Sequence, residues 1–124
     1  HLAGNFRSRW TDFLSTDGEK PDRNRDAEFE REAADSREAL LARCERGWEV
    51  LFQALAVLTP ADLDRIVTIR GEPHTVLQAV NRALAHTAGH VGQIVLLAKH
   101  YAGPNWQSLT IPKRRPTQAE ASRH

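Results

Sequence analysis

His86 and His90 stand four residues apart in the stretch HTAGH. On a helix this spacing places both imidazoles on one face, one turn apart, where both can reach a single ion. A short HxxxH pattern also occurs often by chance, and then it marks a surface pair or two satisfied core groups. The surroundings shift that balance. Arg82, His86, His90 and Gln93 form a polar stripe along an otherwise apolar segment, and polar side chains facing a core need an ion or hydrogen-bonding groups as partners. Ala83, Thr87, Ala88 and Gly89 are small and leave room for another helix or a ligand. A third ligand is available in His1, followed at helical spacing by Asn5, Ser8 and Asp12, so two polar stripes can face each other across one pocket. HTAGH lacks the glutamate that follows the first histidine of zinc proteases, which argues against proteolysis. Gln93 and Asn5 could orient a ligand, or simply be helix-surface amides bonded to water.

Other reactive side chains have simpler readings. Cys44 lies on an apolar stripe and reads as a small buried hydrophobe rather than a nucleophile. His74 precedes a helix start and reads as a capping-region residue, while His100 near a helix end complements the negative end of the dipole. Trp10 and Trp48 occupy apolar helical positions and belong to a core. Lys113, Arg114 and Arg115 read as part of a solvated tail.

These residues need elements to position them. Leu2, Ala3, Phe6, Trp10, Phe13 and Leu14 recur at helical spacing and predict a first helix of about three to four turns, closed by Thr16, Asp17 and Gly18. The charged, turn-rich run from Thr16 to Asp26 predicts an exposed connection. A long helix is expected from about Ala27 to Leu58, with Leu40, Leu41, Cys44, Trp48, Leu51, Phe52, Leu55 and Leu58 on its apolar face. Its charged first third should project beyond the core. Thr59 and Pro60 stop it, and LDRIVTIRGE predicts an extended connector or short strand closing near Gly71. Thr75 and Gln78 are spaced as a capping box for the last helix, which runs past Leu97 to Tyr101, Gly103 and Pro104 and should be buried over much of its circumference. Residues 104–124 read as an extended tail with Trp106 and Leu109 as anchors. The expectation is one domain over residues 1–124, an all-α bundle.

The composition bounds the partners. Lys plus Arg number 17 against 16 for Asp plus Glu, a net charge of +1 across 124 residues, which supplies no field to draw the chain to nucleic acid or an anionic membrane. The single cysteine excludes an internal disulfide and the thiolate clusters of structural zinc, and a cytoplasmic setting is expected. No apolar run approaches the roughly 20 residues that cross a bilayer, and the opening residues lack signal-peptide organisation. HLAGNFRSRWTDFL is already helix-patterned without a lead-in, so sequence upstream of it is expected.

Three segments, HLAGNFRSRWTDFLSTDGEKPDRNRD, IRGEPHTVLQAVNRALAHTAGHVGQIVLLAKH and WQSLTIP, together resemble the DinB-like (DinB/YfiT) superfamily, the nearest branch being an uncharacterised bacterial one. The resemblance implies an antiparallel four-helix bundle, here lacking its first helix. It also implies a metal held by one histidine from the second family helix and two from the fourth, which by position are His1, His86 and His90. An absent first helix would leave apolar core uncovered, to be covered by domain exchange, dimer packing or a separate fragment, and a homodimer is expected. Three neutral imidazoles leave a bound ion its full positive charge and an open position, so a water or thiol there could lose a proton near neutral pH. Characterised relatives include metal-dependent thiol transferases and a thiol-dependent isomerase. The expected cofactor is a divalent transition metal, zinc first, with nickel, iron or manganese also compatible with imidazole. The expected activity is that of a thiol transferase or hydrolase on a small thiol or ester. The alternative is a non-catalytic bundle, metal-stapled or metal-free, that serves in dimerisation.

Overall fold

The computed structural model describes residues 1–31, 33 and 35–111. The Lys113, Arg114, Arg115 cluster and most of the expected tail lie outside the described residues. The described chain is mostly helical: α1 spans Leu2–Trp10, α2 Arg37–Ala56 and α3 Val76–Ala102, with a hairpin of β1 (Ile66–Ile69) and β2 (Glu72–Thr75) before α3. The helical class expected from the sequence stands. The described residues form three α-helices and a small antiparallel sheet rather than a purely α bundle of four helices.

Contacts divide the chain into two compact units, His1–His90 and Val91–His124. In the first, Phe6 and Trp10 from α1, Phe13 from the turn after it, Leu51 from α2, Val67 and Ile69 from β1, and Val76 and Ala79 from α3 form one buried cluster. The period-2 burial of β1 matches a strand with one face on the core. In the second unit the described residues comprise the end of α3, a 3-10 turn at Gly103–Asn105 and the segment to Ile111. Trp106 is half-buried there and Leu109 is exposed, so Leu109 does not act as the expected anchor.

Helix α1 is shorter than its apolar periodicity predicts. It stops at Trp10 because Asp12 adopts a left-handed φ of 48°, and Ser15 and Thr16 then donate both backbone and side-chain bonds to the Asp12 carbonyl. The expected long helix from Ala27 is also corrected. Residues Asp26–Phe29 make a 3-10 turn, and α2 starts only after Ser36, whose Oγ accepts from the Ala39 amide. Residues 26–36 carry charge but no apolar stripe, so nothing pins them as a helix on the core.

The connector is a complete hairpin, in register Ile66 with Thr75 and Ile69 with Glu72. Arg70 and Gly71 both have positive φ, 56° and 77°, the two-residue turn whose twist suits a hairpin. Asp17 tethers that tip. Its Oδ1 accepts from the Arg70 amide at 2.9 Å and its Oδ2 from the Gly71 amide at 2.8 Å. His74 is a β2 residue paired with Val67 and directly precedes Thr75 at the start of α3. The capping box forms as spaced: Thr75 Oγ1 accepts from the Gln78 amide and Gln78 Oε1 from the Thr75 amide. The expectation that α3 is buried over much of its circumference is not met. Only Val76 and Ala79 are buried, because a single face of its first turns meets the core and no described element covers the rest.

Candidate metal centre

Two elements bring the three sequence-predicted histidines together. His1 is the N-cap of α1, and His86 and His90 are successive-turn residues of α3. The Nε2 atoms of His1 and His90 lie 3.3 Å and 3.2 Å from His86 Nε2. The three ligand nitrogens all fall within 4.8 Å of one another. Two nitrogens bound at about 2.0–2.1 Å to one tetrahedral ion stand about 3.3 Å apart. These two separations are therefore already those of a shared ion, and the donor set fits a divalent transition metal.

His1 is held from both sides by the turn that precedes α2. Its Nδ1 donates to Glu28 Oε2 at 2.7 Å, and its ring stacks on Phe29 with centroids 4.6 Å apart. Donation through Nδ1 fixes the tautomer and leaves the Nε2 lone pair aimed at the other two histidines. Glu28 is itself fixed by Arg23, whose Nε and Nη2 each donate to it at 2.8 Å in a two-pronged pair. The Glu28 hydrogen bond is the main cause holding the Arg23 proton more tightly than usual. Gly4 makes room for this arrangement, since a Cβ there would collide with the Glu28 carboxylate. Burial, then the His90, Arg23, Arg9 and Arg82 charges, lowers the His86 pKa and favours the neutral imidazole that a metal requires.

The polar stripes separate in the structure. Asn5 and Arg82 line a cavity of about 260 Å³ with His1 and His86. Ser8 instead turns to the adjoining loop, donating to the Gly18 carbonyl and accepting from the Lys20 amide. Asp12 is exposed at the end of α1, and Gln93 belongs to the second compact unit. Cys44 is a half-buried free thiol on α2. Trp10 is core, Trp48 packs on Phe6 and Phe52, and His100 is exposed with its ring against Tyr101.

Sequence reasoning missed Glu28, Phe29 and Arg23. The available signal was the pattern RNRDAEF, in which one aromatic residue, Phe29, stands at the end of a charged, turn-rich run. It also missed Arg9, a buried cation on the helix that carries His1.

No described helix is long and apolar enough to cross a membrane. No curated protein and no solved structure matches the chain. A family model described as "Protein of unknown function (DUF1572)" matches residues 1–115, and with nearly the whole chain covered, this protein belongs to the DUF1572 family.

Proposed function

We propose that this chain binds a divalent transition metal, zinc foremost, through His1, His86 and His90, and that it is a DinB-like metal-dependent thiol transferase or hydrolase acting on a small thiol or ester. The observation that carries the reading is the meeting of three Nε2 atoms, with the far nitrogen of His1 occupied by Glu28. Three lone pairs aimed at one point repel unless a cation or a shared proton lies between them, and one proton can serve only one pair at a time. When bound, a divalent ion on three neutral imidazoles supplies Lewis acidity to a thiol or an ester oxygen.

The chain's own residues then hold and orient. Glu28 and Phe29 keep the His1 ring in place, Arg23 keeps Glu28 in place, and the cavity bordered by Asn5 admits a small molecule beside His86. The second reading, a metal that only staples the helices, fits a closed four-ligand site. Among the described residues the group that could hold a metal comprises three histidines and adjoins a cavity, which favours the enzyme.

Elemental analysis of untagged protein, beside His86→Ala and His90→Ala, tests the metal. About one equivalent of a transition metal in the parent and a large loss in both variants is expected. Unchanged metal content in both variants would overturn the assignment. Turnover of thiol and ester probes that disappears on metal removal and returns on reloading separates the enzyme from the staple.

A further inference from the structure

The cavity beside the histidines is lined by five arginines, Arg9, Arg23, Arg25, Arg70 and Arg82, and, among the described residues, by no acidic residue. Such a concentration of like charge in a chain of net charge +1 is local rather than compositional. The acids paired with these arginines are not among the lining residues, and one of them, exposed Asp26, stands 3.7 Å from Arg25. Glu19 is shared by Arg9, Arg23 and Arg70 at 3.7, 3.2 and 3.1 Å, and Glu28 is taken by Arg23 and His1. Three carboxylates therefore serve four arginines and a histidine, Arg82 has no ion pair among the described residues, and positive charge is left at the cavity.

Arg9 carries the argument further. Its side chain is 8% exposed, and its Nη1 has no hydrogen-bond partner among the described residues. A buried guanidinium with an unused donor is costly unless a ligand completes it. Burial, and after the opposing pull of Glu19 the Arg82, Arg70 and Arg23 charges, weakens its hold on its proton, so an arriving negative charge would relieve the repulsion. Arg82 lies on α3 one turn before His86, so a group held there sits beside the histidines.

We propose that this arginine-lined cavity binds the oxyanion of a small substrate, a carboxylate or a phosphate, with Arg9 and Arg82 as its principal partners. The anion anchors one end of the molecule while the other end reaches His86. This names the substrate class for the metal-centre reading and rests on it for the substrate role, although anion binding itself does not need the metal. Guanidinium groups suit either oxyanion because their planar donors bind two oxygens at once.

The test is a calorimetric or NMR titration of the folded protein, metal-loaded and metal-free, with succinate, inorganic phosphate and neutral succinamide. Saturable binding of succinate or phosphate is expected in both metal states, with succinamide at least about tenfold weaker, one charge-assisted contact being worth about 1.4 kcal/mol or more. Arg82→Gln and Arg9→Met should each weaken the anion about tenfold or more, while Arg7→Gln, an exposed arginine paired with Asp22, leaves it unchanged. Arg82 is exposed, so its variant stays informative if Arg9→Met fails to fold. Metal content of the arginine variants should equal the parent's, and His86→Ala should lose metal yet retain the anion. Stronger binding of succinate than phosphate identifies a carboxylate substrate, and the reverse a phosphate ester, each supporting the proposal. Equal binding of succinamide, or anion binding that needs the metal and ignores both arginine variants, overturns it. Loss of the metal reading alone would leave the anion site measurable.

Discussion

Glu28 decides how firmly His1 can serve. A histidine at a helix N-cap has two free ring nitrogens and several rotamers, and the carboxylate at Nδ1 selects one tautomer and one orientation. Removing such a partner lowers metal affinity by about 10–100-fold in general. Glu28→Gln is therefore expected near the lower end and Glu28→Ala near the upper, read by competition with a chromophoric chelator for Zn²⁺. Parent affinity in both variants would show that the contact orients nothing. Gly4→Ala should mimic part of this effect, because its new methyl displaces the carboxylate without touching a ligand. The histidine pair was legible from spacing alone, since i and i+4 geometry holds on any helix. Glu28 was not, because its role arises from a 3-10 turn that meets His1 and Gly4 at the start of α1, and no periodicity in the sequence of residues 26–36 announces that contact.

At the scale of elements, two contacts set the frame. Helices α1 and α2 approach closely at Gly47, where a Cβ would lie 2.8 Å from the Ala3 Cα. Gly47→Ala gains about 1 kcal/mol of helix propensity but meets backbone, and overpacking costs about 1–3 kcal/mol, so a net loss is expected. Gly89→Ala is the contrast: it finds open space within 4 Å on α3 and should stabilise by about 0.5–1 kcal/mol. Urea denaturation of both variants reads the opposite signs, and equal signs would contradict the close approach.

The second contact is Asp17, whose carboxyl is held below its ordinary pKa chiefly by the Gly71 amide. A depressed carboxyl contributes stability that is full above the unfolded value of about 3.9 and is lost as pH falls through the lower folded value. Asp17→Ala is expected to cost about 1 kcal/mol at pH 7 after solvent screening, and less than that below pH 3. A penalty independent of pH would place the effect elsewhere. The α3 start was readable because Thr75 and Gln78 satisfy orphan backbone groups locally. The hairpin was half readable. Its strand residues and Gly71 are visible, but the positive φ of Arg70 depends on Asp17, 53 residues away.

At the scale of the whole molecule, α3 bears exposed apolar residues in each compact unit, Leu77 and Leu84 in the first and Val91 and Ile94 in the second. Exposed apolar patches normally meet a partner, and self-association rising with concentration is expected in sedimentation velocity. A single monomeric species at high concentration would contradict it. The sequence pattern predicted burial over much of this helix and only Val76 and Ala79 are buried, because periodicity reports which faces are apolar, not which neighbour covers them.

The meeting of His1 with His86 joins points 85 residues apart in the chain. A metal bound there would act as a removable crosslink. By the chain-entropy account, tying such a loop reduces the freedom of the unfolded state by about 4–5 kcal/mol, less whatever the unfolded chain itself binds. Chelation would then lower the melting temperature of the entire first unit instead of loosening one corner of it. The histidines that point to chemistry would in that case also govern how long the chain stays folded.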